Sequence, residues 1–248
     1  MKHGQWDNFT KAKERFRCTV EELTASLPKL KSIQQKFVDS RTESSYAIET
    51  PVVYNTALDD ITINNEIKLI LVADNPGRRE QAAENRRYLV GPSGKIAKKF
   101  FLDNPSLGID FLKNVIILNK SPIHSPRTLD LRELCRMENF KKSLVKALEE
   151  SQKAMAAILL EFHQALDCPV WITGYSEMRK KGIFEVYTEK LKELYADKQK
   201  MYKQIYFFRH FSMNQFTIDL KKQAKPRENV IKSLGRIGAA YRQRILEK

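Results

Sequence analysis

Apolar residues recur along this chain in two rhythms, which change over near residue 67. In the first 50 residues Val20, Leu23, Leu30, Ile33 and Phe37 fall mostly on one helical face, the spacing of an amphipathic helix. Thr19 followed by Glu22 reads as a capping box that opens a helix. Pro28 is expected to bend or divide this stretch, and the polar run at 39–45 reads as a loop. From residue 67 short β-branched runs alternate with longer helical patterns, the signature of βαβ units around a buried parallel sheet. Strands are predicted at 67–73, 114–118, 169–173 and 204–208. Helices are predicted near 93–102, 130–166, 177–197, 213–223 and 227–246, on both faces of the sheet if the crossovers are right-handed. The predicted fold is α/β: a three-layer α/β/α arrangement with a central four-stranded, mainly parallel sheet plus N- and C-terminal helices. Residues 1–50 form a helical N-terminal extension, and residues 51–248 form the α/β/α domain with a basic C-terminal helix.

A chain of 248 residues is long enough to bury roughly 70–75% of its unfolded surface without staples. The three cysteines, Cys18, Cys135 and Cys168, write neither a disulfide framework nor a Cys-x-x-Cys metal site. The expectation is a metal-free, cofactor-free protein of a reducing, intracellular compartment. No apolar leader or long uncharged apolar run is present, so no membrane association is expected. Charge changes the picture more. The formal net charge is +14, which attracts polyanions. Residues 221–248 hold nine Lys and Arg against two Glu, half of the surplus. Val230, Ile231, Leu234, Ile237, Tyr241 and Ile245 recur there at helical spacing, so the basic positions are either a solvated helix face or a nucleic-acid contact.

In open α/β sheets ligands bind outside the carboxyl ends of the strands, and the residues following the four strands are polar and specific. They are Asp74-Asn75-Pro76-Gly77, then Asn119-Lys120-Ser121-Pro122, then Gly174-Tyr175, and last Arg209-His210-Phe211-Ser212. Each has an ordinary explanation in turn chemistry. Together they put a carboxylate, two amides and an imidazole along one edge, the equipment of a site for a flipped base. Val90-Gly91-Pro92-Ser93-Gly94-Lys95 imitates a phosphate loop, but Leu89 and Ile96 break that template.

Asp74-Asn75-Pro76-Gly77 resembles the first motif of the uracil-DNA glycosylase superfamily, written G-Q-D-P-Y, G-x-N-P-G or G-E-A-P-G. The run ending in Asn119 is similar to the strand that carries its base-reading Asn. His210-Phe211-Ser212 resembles its H-P-S motif, and Tyr88-Leu89-Val90-Gly91 with Gly94 resembles the P-F-V-G-x-x-G loop. The resemblance covers about residues 67–220 and implies a monofunctional glycosylase acting on uracil or a related damaged base in DNA, with DNA as partner and a monomeric chain. It implies that Asn75 or Asp74 positions the attacking water, that Asn119 reads the base, and that His210 stabilises the departing anion. Tyr88 or Leu89 would supply the stacking wall, and Gly77 stands where a Tyr bars thymine in one branch. Gly91, Ser93, Lys95, Ser121, Ser212, Met213 and Asn214 would face DNA, with Met213 either the wedge left in the stack or a first-turn core residue. Ala73 and Phe211 depart from the motifs, and the iron–sulfur cysteines of the thermophile-type branch are absent. A catalytically silent DNA-binding relative and a nucleotide-type small-molecule enzyme are the alternatives.

Overall fold

The computed structural model describes residues 1–41, 45–137 and 141–247. Four strands, β1 (Leu69–Ala73), β2 (Val115–Asn119), β3 (Val170–Thr173) and β4 (Ile205–Phe208), form one sheet in the order β2-β1-β3-β4, every pairing parallel. β1 and β3 are central and buried at every position, and so they read as unbroken apolar runs rather than alternations. The register aligns Ala73 with Asn119, Leu71 with Trp171 and Thr173 with Phe208. Paired residues point to the same side of a sheet, so Ala73, Asn119, Thr173 and Phe208 share one face.

Helices α1 (His3–Ser26), α2 (Leu30–Asp39), α3 (Pro92–Asp103), α4 (Asp130–Leu134), α5 (Lys141–Leu166), α6 (Glu185–Tyr195), α7 (Gln199–Tyr202), α8 (Gln215–Gln223) and α9 (Val230–Leu246) complete the three-layer α/β/α fold. Phe101 of α3 stacks on Trp171, which also meets Phe216 of α8. Gly238 brings α9 onto this face, where a Cβ would stand 2.6 Å from Tyr206 Cβ. The layer built on α5 is deeper, because α1 packs over it with the rings of Phe9 and Phe162 at 5.2 Å. On the outer side of β2 the Asn55 amide donates to Ile117 O at 2.8 Å. Beyond β4 the Arg242 guanidinium donates to the carbonyls of Tyr202, Lys203 and Ile205. Arg242 and Arg236, the latter paired with Glu228 at 2.7 Å, are therefore basic-tail residues with structural duties. No described helix is long and apolar enough to cross a membrane.

The strands lie within one or two residues of their predicted bounds, and several helix ends move. Thr19 opens no helix: it lies inside α1, where its hydroxyl donates to Arg15 O at 2.8 Å. Pro28 does divide the N-terminal stretch, between α1 and α2. The helix expected over 177–197 begins only at Glu185, because the chain first turns through Lys181 at φ 64° and through Gly182. A Cβ on Gly182 would lie 2.2 Å from Glu177 O. The helix expected over 130–166 is instead α4 and α5, and part of that stretch, 138–140, lies outside the described residues, as do positions 42–44 of the predicted loop.

Candidate active site

The strand order reverses between β1 and β3, and the crevice beyond their carboxyl ends is where such sheets hold ligands. Asp74 follows β1 directly and is buried. Gly174 follows β3 with φ 76°, and a Cβ there would meet Asp74 Oδ1 at 2.3 Å. Glycine is thus required twice, for the left-handed backbone and for the approach of the carboxylate. Thr128, in the segment after β2, donates its hydroxyl to Asp74 Oδ2 at 3.0 Å.

Lys120 fills the space beyond these strand ends from the end of β2. Its side chain is fully buried, and Nζ donates to Asp74 Oδ1 at 2.5 Å, to Thr173 O at 2.5 Å and to Ala73 O at 3.4 Å. The ammonium also lies 5.0 Å from the centroid of the Phe184 ring. One cation therefore ties together the ends of three strands. Burial pushes the Lys120 pKa down, and Asp74 works against that shift.

His210, half-buried beyond β4, accepts the backbone N–H of Ser212 on Nδ1 at 3.0 Å. That bond fixes the neutral tautomer, because a nitrogen that accepts cannot carry the proton, so Nε2 is the N–H donor. Burial lowers the pKa of His210, Asp74 raises it and Lys120 lowers it. The imidazole is thus electrostatically joined to the Asp74–Lys120 pair.

Asn75 is anchored by Nδ2, which donates to Ser125 Oγ at 2.9 Å, to Ile123 O at 3.3 Å and to Pro76 O at 3.4 Å. Two carbonyls on that side fix which end of the amide is nitrogen, and Oδ1 is left as an acceptor. Asn119 is buried, and its Nδ2 has no partner among the described residues. An orphaned buried donor costs about 1–3 kcal/mol.

Asp74 and His210, 136 positions apart, lie near enough for the carboxylate to act on the imidazole through its charge, and Asn75 follows Asp74 in the chain. Asn119 shares this edge of the sheet, on the Ala73 and Thr173 face. Around Gly77 no atom lies within 4 Å of where a Cβ would stand, so its neighbourhood is open. Gly91 precedes Pro92 at the start of α3, where Ser93 is half-buried and Lys95 exposed. Met213 is 83% exposed, and it and Asn214 are consecutive left-handed residues at φ 51° and 57°. This removes the first-turn core reading of Met213.

Three expectations are corrected. Tyr88 is only 3% exposed, with its hydroxyl donating to Val53 O at 2.6 Å and its ring near Phe16; it offers no face to a base. Leu89 is buried too, and its carbonyl is pressed so closely on α3 that a Cβ on Gly94 would stand 1.4 Å from it. Ser121 is buried with its hydroxyl on Ser151 of α5 at 2.9 Å, and it faces inward instead of toward DNA. Lys120 and Gly174, which the sequence places at this edge without a role, and Thr128, which it does not single out, are members of the site. The available signal was a lysine directly after a buried parallel strand.

The loop that carries Asn75 also holds Glu80, a buried carboxylate that accepts Gly77 N–H at 2.9 Å. Burial raises its pKa to about 7, against the backbone hydrogen bonds from Gly77 and Leu89. A folded-state pKa above the unfolded value favours folding most at low pH, and that contribution is lost as pH rises through about 7. Glu80→Gln should therefore raise the urea midpoint at pH 8 and change it little at pH 5. Equal shifts at both values would contradict a buried charge at this position. No protein-family model matches this chain, and no curated protein matches it either.

Proposed function

We propose that this protein is a monofunctional DNA glycosylase that hydrolyses the N-glycosidic bond of an extruded uracil or related damaged base. The observation that carries the reading is His210: a neutral imidazole, its tautomer set by Ser212 N–H, with Nε2–H as a donor at the carboxyl edge of the sheet. Rupture of the bond leaves its electron pair on the base and positive charge on the sugar, so a preorganised donor at the pyrimidine O2 lowers the barrier. Asn119 Nδ2 is a buried donor without a partner among the described residues, and it meets a base carbonyl only if the packing around it opens. Asn75 Oδ1 accepts from water and aims it at C1′; the water oxygen bonds to C1′ and its proton leaves with the solvent or the base. An amide orients water without deprotonating it, and Asp74, neutralised by Lys120, is not the base.

Met213 fits the wedge, since an exposed apolar side chain on a strained left-handed pair is costly unless something covers it. The open space at Gly77 bars no 5-methyl group, which extends the substrate class beyond uracil.

The test is strand nicking after alkali on uracil-containing single- and double-stranded oligonucleotides. Asn75→Ala should slow excision at least about tenfold, the scale of one lost transition-state contact, whereas Asn119→Ala should chiefly degrade discrimination among bases. Oligonucleotide binding with no nicking by the unaltered protein would replace this reading with that of a silent DNA-binding relative. The ion pairing of Asp74 is the observation that favours the latter.

A further inference from the structure

Tyr175 directly follows Gly174, whose backbone abuts Asp74, and its ring is buried. It meets the Tyr241 ring at 4.4 Å. Three guanidiniums surround this aromatic pair: Arg179 at 5.4 Å and Arg209 at 6.0 Å from Tyr175, and Arg244 at 5.6 Å from Tyr241. Arg209 is also the neighbour of His210 in sequence. Beyond them a cleft of about 680 Å³ opens between α6 and α9, lined by Arg179, Lys180, Lys192 and Arg244. Two acids line it as well, and both are engaged: Glu185 accepts the backbone N–H of Lys181 at 2.8 Å, and Glu189 pairs with Lys192 at 3.1 Å. Arg179, Lys180 and Arg244 have no carboxylate partner among the described residues.

We infer that this cleft is the track for the DNA strand flanking the extruded nucleotide, its cations neutralising successive phosphates. The inference takes the identity of the strand from the reading above, and its surface differs from the α3 loop. A row of separate cations suits a chain of phosphates. A compact anion would instead need donors converging on one point. The track starts at the site, because Arg209 and Arg179 share the ring of Tyr175.

The experiment is fluorescence anisotropy with a short uracil-free single-stranded oligonucleotide, across a series of salt concentrations. The unaltered protein is compared with Arg179→Ala/Lys180→Ala/Arg244→Ala, with Lys180→Glu alone, and with Lys99→Ala/Lys113→Ala. The last pair removes exposed lysines near the amino edge of the sheet. The triple variant should bind at least about tenfold more weakly, with the slope of log K against log salt reduced by about 2, as three lost single-strand phosphate contacts predict. Lys180→Glu should weaken binding in the same direction, and the Lys99/Lys113 pair should bind like the unaltered protein. Unchanged affinity in the triple variant would overturn the proposal, as would equal losses in both sets or competition by polyglutamate as strong as by oligonucleotide. Because the probe holds no uracil, a cleft that binds in a protein that never excises would sink the glycosylase reading and leave this one standing.

Discussion

Lys120→Met should lower the free energy of unfolding by about 3–5 kcal/mol, the cost of leaving a buried charge without its partner. Methionine fills much the same space as the lysine stem, so the loss is electrostatic. Asp74 then stays buried with its negative charge unbalanced, while the carbonyls of Ala73 and Thr173 lose a shared donor. Asp74→Asn in the same chain should recover a large part of the loss, because the uncompensated charge is gone. Urea denaturation at pH 7 measures both. A single variant within about 0.5 kcal/mol of the unaltered protein, the ordinary scale of a surface change, would mean that the pair is not a strut. A second readout follows from the coupling to His210. With Lys120 gone the Asp74 carboxylate acts on the imidazole unopposed, so the His210 pKa should rise when followed by NMR, and it should fall in Asp74→Asn.

His210→Ala should cut excision by at least about tenfold, and by as much as about 10²–10³ if Nε2–H is a full transition-state donor. Substrate affinity should change far less, since the bond strengthens only as the base acquires charge. The pH profile separates this role from a merely structural one. The pKa of His210 is depressed below its ordinary 6.5, so the neutral form and its contribution to stability are complete above that value. Both are lost as pH falls through the lower folded-state pKa. Protonation would place hydrogen on Nδ1, where Ser212 N–H already points, and so it breaks the bond that orients the ring. Excision should hold steady through pH 6.5 and decline only as pH falls through the lower folded-state pKa of the imidazole. A rate that rises on acidification, or one indifferent to His210→Ala, would remove the imidazole from the chemistry.

The sheet was legible because each strand is a short, mainly apolar run with helical patterns on either side, and the central strands β1 and β3 are buried at every position. Position along α1 was harder to read: its apolar stripe continues back through Phe16 and Phe9, so Thr19 only imitates a beginning. The loop before α6 was lost because its turn depends on the fit of Gly182 against Glu177 O, a contact that no periodicity records. At the site, the rule that places ligands beyond strand ends found Asp74, Asn75, Asn119 and His210. It could not say which way a side chain turns, and so Tyr88 and Ser121 were assigned outward although their hydroxyls bind Val53 O and Ser151. Lys120 was given no role for a related reason. A lysine is almost always at the surface, and its burial depends on Asp74, Thr173 and Phe184, all distant in sequence.

The Asn55 amide on Ile117 O and the Arg242 guanidinium on the carbonyls beyond β4 have a consequence for how this molecule meets others. An outermost strand ordinarily offers a ladder of free amides and carbonyls onto which foreign chains can zip. Here side chains from the protein's own flanks occupy carbonyls on both outer borders. Ile117 O and Ile205 O are thereby withdrawn from the acceptors that an incoming fifth strand could use. Arg242→Ala should reopen one border, and the resulting tendency to associate would grow with protein concentration in light scattering.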